Sequence, residues 1–288
     1  MPSKKPRECS LAALLESYLL IHSVCPGHAA NMRRTVRMLA EQGVGFANQL
    51  SSSSVTAMCD SIQRSSSTRA NHRRIALTLW RHAVREGCAT GPVEARPVRV
   101  RMPAVRAWSA EELTTLFKVG KRVQGNFRSG CPKSLFWQGF VLVGYETGLR
   151  LGDLLTLRSC DFARNCTDLA VTANKTGEPI MRGLTPPAAA AVRELIRLSP
   201  DGSVFGWALS RRYVKSQFTK LAKTAGLEGS VRWLRRTGAT ACECQAPGSS
   251  SRFLAHRSPG VAQRHYVDWS KVTKQPVPPP LALEREPG

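Results

Sequence analysis

The chain has 288 residues, 42 Lys plus Arg against 20 Asp plus Glu, a net charge of +22 and 42% hydrophobic residues, which describes a folded, strongly basic protein with material for one or two ordinary cores. The excess charge is spread, with 16 basic against 6 acidic residues before Ala107 and 26 against 14 after it, and this fits a polyanion gripped from two sides better than one basic tail on a neutral domain. The longest apolar stretches are core-helix length and carry polar residues, so no membrane partner is expected; nine cysteines without a C-x-x-C pair or an H-x-x-x-H argue against zinc and, with no signal peptide after the polar start, for reduced thiols in a cytoplasm.

In chain order, residues 1–9, with Lys4, Lys5 and Arg7, read as a basic arm. Ser10 is a suitable N-cap for a helix in which Leu11, Leu14, Leu15, Tyr18 and Leu19 recur at helical spacing. A second helix is predicted from about His28 to Glu41 with Met32, Val36 and Leu39 on one stripe, and a third, short one between the serine clusters 51–54 and 65–67. A fourth, over Thr68 to Glu86, is expected to bury Ile75, Leu79, Trp80, Ala83 and Val84 and to leave Arg69, Arg73, Arg74, Arg81 and Arg85 outside as phosphate contacts, with Gly87 ending it. Ala89 to Ala107 has Pro92, Pro97 and Pro103, four arginines and no helical stripe, and reads as an extended linker.

A new domain opens at Trp108, where Ser109 and Glu112 form a capping box and Trp108 and Leu113 a hydrophobic staple. Residues 120–133 are a polar, basic loop without an assignment. The apolar run Leu135 to Tyr145 is a helix buried on nearly every face, followed by T-G-L-R-L-G-D; Gly148 suits the left-handed residue that closes a helix, which places Arg150 at a rigid corner where it wants an anion, with Asp153 or Asp161 as its bland partners. Asp161 to Leu184 is predicted as a small sheet whose hairpin, at Asn174 to Glu178, carries Lys175. Helices follow from Pro186 to about Leu198 and from Ser210, the latter with Val214, Phe218, Leu221 and Ala225 inside and Arg211, Arg212, Lys215, Lys220 and Lys223 outside, a candidate for the major groove of DNA. Then come R-W-L-R-R-T-G with Arg232 and Arg235, L-A-H-R-S with His256, R-H-Y-V-D with Tyr266, and a Pro-rich tail, 272–288, expected to be disordered.

Arg150, Lys175, Arg232, Arg235, His256 and Tyr266, in that order, resemble the active-site set of the tyrosine recombinase (phage integrase) family, Arg, Lys, His-x-x-Arg, His or Trp, Tyr. The four-helix pattern, with S-T-R-x-N before its last helix and W-x-x-A-V-R-E-G at its end, resembles the family's core-binding domain, so the likeness covers nearly the whole chain. It implies a mainly α fold with a small β-sheet: a helical core-binding domain at 10–88, a linker at 89–107 and an α+β catalytic domain of the integrase type at 108–271.

The resemblance also implies a reaction. Tyr266 attacks a scissile phosphate of double-stranded DNA and forms a 3′-phosphotyrosyl bond; Arg150 and Arg235 clamp the developing charge bidentately, Lys175 is the general acid, His256 donates a hydrogen bond to the phosphate, and Asp153 orients Arg150. The ester conserves bond energy and the guanidinium groups meet the charge, so neither a nucleotide cofactor nor a divalent metal is required, and no small-molecule substrate; the acting species is a homotetramer at synapsis. Three positions depart from the pattern: Arg232 stands where His is usual, Ala255 where Gly is, and Tyr266 lies one residue further from His256 than the commonest spacing. They keep a catalytically degenerate DNA-binding relative as the alternative, while a type IB topoisomerase is disfavoured by the integrase-like N-terminal pattern.

Overall fold

The computed structural model describes residues 6–272 apart from Lys175, Ala208 and Arg257, so the prolines and leucines of the tail from residue 273 onward, and the lysines of the basic arm, lie outside the described residues. The chain divides into two compact units, Met1–Pro103 and Ala104–Gly288. The described residues are mainly helical with one two-stranded antiparallel sheet, the fold class expected from the sequence.

The first unit has four helices, α1 (Leu11–Ile21), α2 (Pro26–Ala40), α3 (Ser52–Ser61) and α4 (Ser66–Arg85). Their starts follow from short polar residues: the side chains of Ser10, Ser51 and Ser65 accept the N–H groups of Ala13, Ser54 and Thr68, donors with no partner inside the helix. α4 packs on the other three, and Leu11, Leu14, Met32, Leu39, Val55, Met58, Ile75 and Leu79 close the core.

Two expectations for α4 need correction. Val84 is 36% exposed, because Ala83 takes the inward position and the next residue turns about 100° away from it. Arg73 is not on an open outer face: its Nε donates to the Arg96 carbonyl at 2.8 Å and an Nη to that of Ala95 at 2.5 Å. With Ala89 and Ala95 buried and Val93 and Val98 packed beside them, the stretch 89–98 lies on the first unit although it has no regular secondary structure.

Two histidines in this core fix an acid limit. His72, 4% exposed, meets the Thr35 hydroxyl at 2.8 Å through Nδ1, and His82 is 2% exposed. Burial, followed by the Arg34 and Arg64 guanidinium groups, holds His72 below its ordinary 6.5; burial also holds His82 down, against the opposing pull of Glu86. The unfolded chain therefore binds protons first as pH falls, so stability is intact above about 6.5 and declines below it. Urea unfolding of this unit should show a falling midpoint between pH 7 and 5, and His72→Gln should flatten that fall; a midpoint constant over the range contradicts the assignment.

The second unit comprises α5 (Ala110–Lys121), α6 (Lys133–Thr147), α7 (Leu151–Leu155), β1 (Asp168–Thr172), β2 (Pro179–Gly183), α8 (Pro186–Leu198), α9 (Arg211–Thr224), α10 (Val231–Gln245), α11 (Ser249–Phe253) and α12 (Pro259–Tyr266). α6 is its axis, with α5, α8 and α10 against it and Phe136, Trp137, Phe140, Val141 and Val143 buried. Ser109 and Glu112 make the expected capping box, the serine hydroxyl accepting from Glu112 N–H at 3.2 Å and its own N–H donating to the Glu112 carboxylate at 2.6 Å. The basic loop before α6 is closed by a bridge between Asn126 and Pro132 over the buried Phe127. β1 and β2 pair in the register Leu169 to Arg182 and Val171 to Ile180, so the hairpin turn falls at residues 173–178 as expected.

Candidate functional site

α6 ends where the sequence says it should. Gly148 takes φ +61°, the chain turns, and Arg150 becomes the N-cap of the short α7. A Cβ on Gly148 would lie 2.6 Å from the Phe253 ring in addition to straining the left-handed backbone. Gly148→Ala should cost on the order of 3 kcal/mol in chemical unfolding; a cost below about 1 kcal/mol, the scale of a lone glycine-to-alanine change, means the ring moves aside freely.

Behind that corner, Arg235 on α10 is 3% exposed. Its guanidinium donates to the carbonyls of Gly148 and of Leu254, the latter at 2.9 Å, and to His256 Nε2 at 3.0 Å, while its Nε has no hydrogen bond. Its charge lies 5.0 Å from the Tyr266 ring centre. Burial, and after it the nearby Arg150 charge, pulls Arg235 down to about 10, against the pull of Tyr266 and Asp153, so it stays cationic at neutral pH. The His256 ring stands edge-on to Tyr266 at 5.2 Å, and an Arg150 Nη approaches His256 Nε2 at 3.5 Å. An arginine only donates, so Nε2 is the acceptor for both.

Arg150, Arg235, His256 and Tyr266 thus come together from four different parts of the second unit. Arg150, Arg235 and Tyr266 line a cleft of about 790 Å³ together with Arg211, Lys215, Arg232 and Arg236, and no carboxylate is among its lining residues. Six cations around one tyrosine make a strongly anion-seeking pocket. Arg232 is exposed on its wall. Lys175 lies outside the described residues; its neighbour Asn174 has its N–H on Asp153 Oδ1 at 3.1 Å. That bond corrects the expectation for Asp153, which ties α7 to the hairpin and makes no ion pair with Arg150. Asp161 instead accepts the Arg158 N–H at 2.8 Å.

Sequence reasoning missed several contributors. Arg236 is half-buried in the cleft wall; two adjacent arginines carry no local signal that both reach one cleft. Arg211 and Lys215, placed on the outer face of α9, reach the cleft instead. Arg182 on β2 donates to the carbonyls of Arg252 and Phe253 and so secures the loop carrying His256, and the buried Glu243 accepts from Gly248 and Ser250 at 2.7 and 3.1 Å to fix α11. A strand arginine and a helix glutamate carry no signal for such roles. Ala255, the residue before His256, sits at φ +48°, which explains why glycine is the expected occupant there.

No family model matches the sequence, and no curated protein is similar to it in sequence. Solved structures are similar in fold. A lambda integrase dimer bound to a COC′ core site superposes with a TM-score of 0.74 at 16% identity, over 94% of this chain and 81% of that one. A lambda integrase tetramer bound to a Holliday junction gives 0.72 at 17% identity, over 91% and 78%. The Tn1549 transposon integrase (residues 82–397) in complex with circular intermediate DNA gives 0.69 at 12% identity, over 90% and 95%. The chain has the fold of the tyrosine integrases. On this integrase fold, no helix among the described residues is long and apolar enough to cross a membrane, and no group of three or more His, Cys, Asp or Glu is placed to hold a metal ion.

Proposed function

We propose that the chain is a site-specific DNA recombinase or integrase that cuts and rejoins double-stranded DNA through a 3′-phosphotyrosyl intermediate. The observation that carries this reading is the placement of Tyr266, its ring 5.0 Å from the buried Arg235 charge, at the edge of a cleft walled by cations. Phosphoryl transfer asks for a nucleophilic oxygen held beside fixed positive charge, and this arrangement supplies both. Tyr266 attacks phosphorus and the 5′ oxygen leaves; Arg150 and Arg235 hold the non-bridging oxygens, and Arg232 adds charge at the rim. The hydrogen bond from His256 to the phosphate is assigned from the sequence pattern. The proton for the leaving oxygen is assigned to Lys175 from the sequence pattern. The freed 5′ hydroxyl attacks a second phosphotyrosyl bond, so two cut strands are needed and a homotetramer is the acting species, as in the similar lambda integrase tetramer on a Holliday junction.

A non-cutting DNA-binding relative is the second reading. It is favoured by the attachment of Arg235 to two main-chain carbonyls, which gives that residue a structural task whether or not it ever touches phosphate. A pool of nicked duplexes of randomised sequence separates the two. The recombinase reading expects protein–DNA adducts that survive denaturing gels, with one sequence class enriched among the trapped DNA. Binding without any adduct favours the second reading. Both require electrostatic affinity: each neutralised phosphate should contribute about −0.9 to the log–log salt slope on duplex DNA, so affinity should fall steeply with salt. A nearly flat response means that the charge of +22 serves something other than nucleic acid.

A further inference from the structure

Two residues past Tyr266 stands a carboxylate for which the strand-transfer chemistry has no use. Asp268 is buried, and every polar group it offers has a partner. Its Oδ2 accepts the Ala107 N–H at 2.9 Å, and its Oδ1 accepts from Ser270, at 2.6 Å from the hydroxyl and 3.2 Å from the main chain. Its own N–H donates to the Thr240 hydroxyl at 2.9 Å, and its carbonyl accepts from Lys271 at 3.0 Å. One turn earlier on α10, the hydroxyl of Thr237 accepts the Trp108 N–H at 3.0 Å. Both threonines are buried. The chain that opens the second unit, at 107–108, and the chain that leaves α12, at 267–268, are thus both tied to α10, the helix that carries Arg235 and Arg236. Tyr266 is the last residue of α12, and its ring meets the Arg235 charge at 5.0 Å and the His256 ring at 5.2 Å. The last carbonyls of a helix have no partner within it, so a helix end is easily displaced unless the chain beyond it is anchored. Here the anchor is the buried pair Val267 and Asp268.

We propose that Asp268 is a positioning residue for the nucleophile: by tying the segment after Tyr266 to Ala107 and to Thr240 of α10, it holds the phenol in place beside Arg235 and His256. The catalytic part of this proposal rests on the reading of Tyr266 as the nucleophile; the part that concerns the placement of the ring does not. Asparagine has nearly the shape of aspartate but one accepting oxygen where Asp268 uses two. Asp268→Asn therefore gives up either Ala107 or Ser270 and turns an amide N–H towards a donor. Thr240→Val removes the bond on the other side and leaves the Asp268 N–H unpaired, whereas Thr240→Ser keeps a hydroxyl to accept it.

The test labels the full chain with 3-fluorotyrosine and follows the fluorine resonances of its four tyrosines, each assigned by a Tyr→Phe variant, well below the unfolding midpoint. In Asp268→Asn and Thr240→Val the Tyr266 resonance should broaden and move towards its position in the urea-unfolded chain, while those of Tyr18, Tyr145 and Tyr213 stay in place. Thr240→Ser should keep all four at their wild-type positions. At saturating nicked duplex the first two variants should form adduct on the order of 100-fold more slowly, with DNA affinity as in the wild type, the scale on which a displacement of about an ångström costs rate. A merely structural Asp268 lowers the unfolding midpoint but leaves the Tyr266 resonance and the rate at saturation unmoved, and that result overturns the proposal. So does a shift of all four resonances together, or a Thr240→Ser variant that behaves like Thr240→Val. Should Asp268→Asn fail to fold, the two Thr240 variants decide. A wild type that forms no adduct sinks the recombinase reading instead, and the fluorine resonances alone then judge Asp268.

Discussion

Tyr266→Phe is expected to bind duplex DNA with unchanged affinity and salt slope and to form no covalent adduct, a complete loss of the trapped species. Only the hydroxyl is removed. The ring keeps its edge-on contact with His256 and its place beneath the Arg235 charge, so the cleft retains its shape. The stability cost should be small, no more than about 1 kcal/mol, read from urea unfolding. An adduct that persists in the variant would move the nucleophile elsewhere. Tyr213 is the exposed candidate, but it stands at the start of α9 and does not line the cationic cleft.

The second large effect is a contrast between two arginines to which the sequence gives the same role. Arg150→Lys should slow the chemical step by on the order of 3 kcal/mol, the scale for losing one oxyanion donor, and leave stability nearly unchanged. The reason is that, among the described residues, the Arg150 side chain makes one long hydrogen bond, to His256. Arg235→Lys should show the same loss in rate and, in addition, a loss of stability of about 3 kcal/mol, because a compact ammonium lacks the spread fork from which Nη1 and Nη2 reach the Gly148 carbonyl on one side and the Leu254 carbonyl and His256 on the other, and buried groups are left unpaired. Single-turnover cleavage and urea unfolding, measured on both variants, give the two axes. Near-wild-type cleavage by Arg150→Lys removes it from the clamp. An Arg235→Lys variant that is destabilised but cleaves at the normal rate makes Arg235 a structural anchor only.

Much of this site was legible in the sequence because its signals are local. Helix periods, the Ser10 and Ser109 caps, the glycine that turns the chain at residue 148 and the hairpin after β1 are each written within a few residues, where backbone sterics and unsatisfied N–H groups decide the outcome. The order of the candidate residues along the chain was likewise readable, and the structure gathers Arg150, Arg235, His256 and Tyr266.

What each of those side chains touches was decided only by the tertiary structure. Arg73 and Arg74 are neighbours of identical type, yet one is bound to carbonyls of the stretch after α4 and the other is exposed. Arg235 and Arg232 lie one helical turn apart, yet one is in the core and the other on the rim. Asp153 sits three residues from Arg150 and bonds the hairpin instead. An arginine, a carboxylate or a thiol offers several donors or acceptors, and the energy of using one is set by which distant group arrives and how much water leaves with it. Local pattern places the backbone of such a residue; long-range packing chooses its partner.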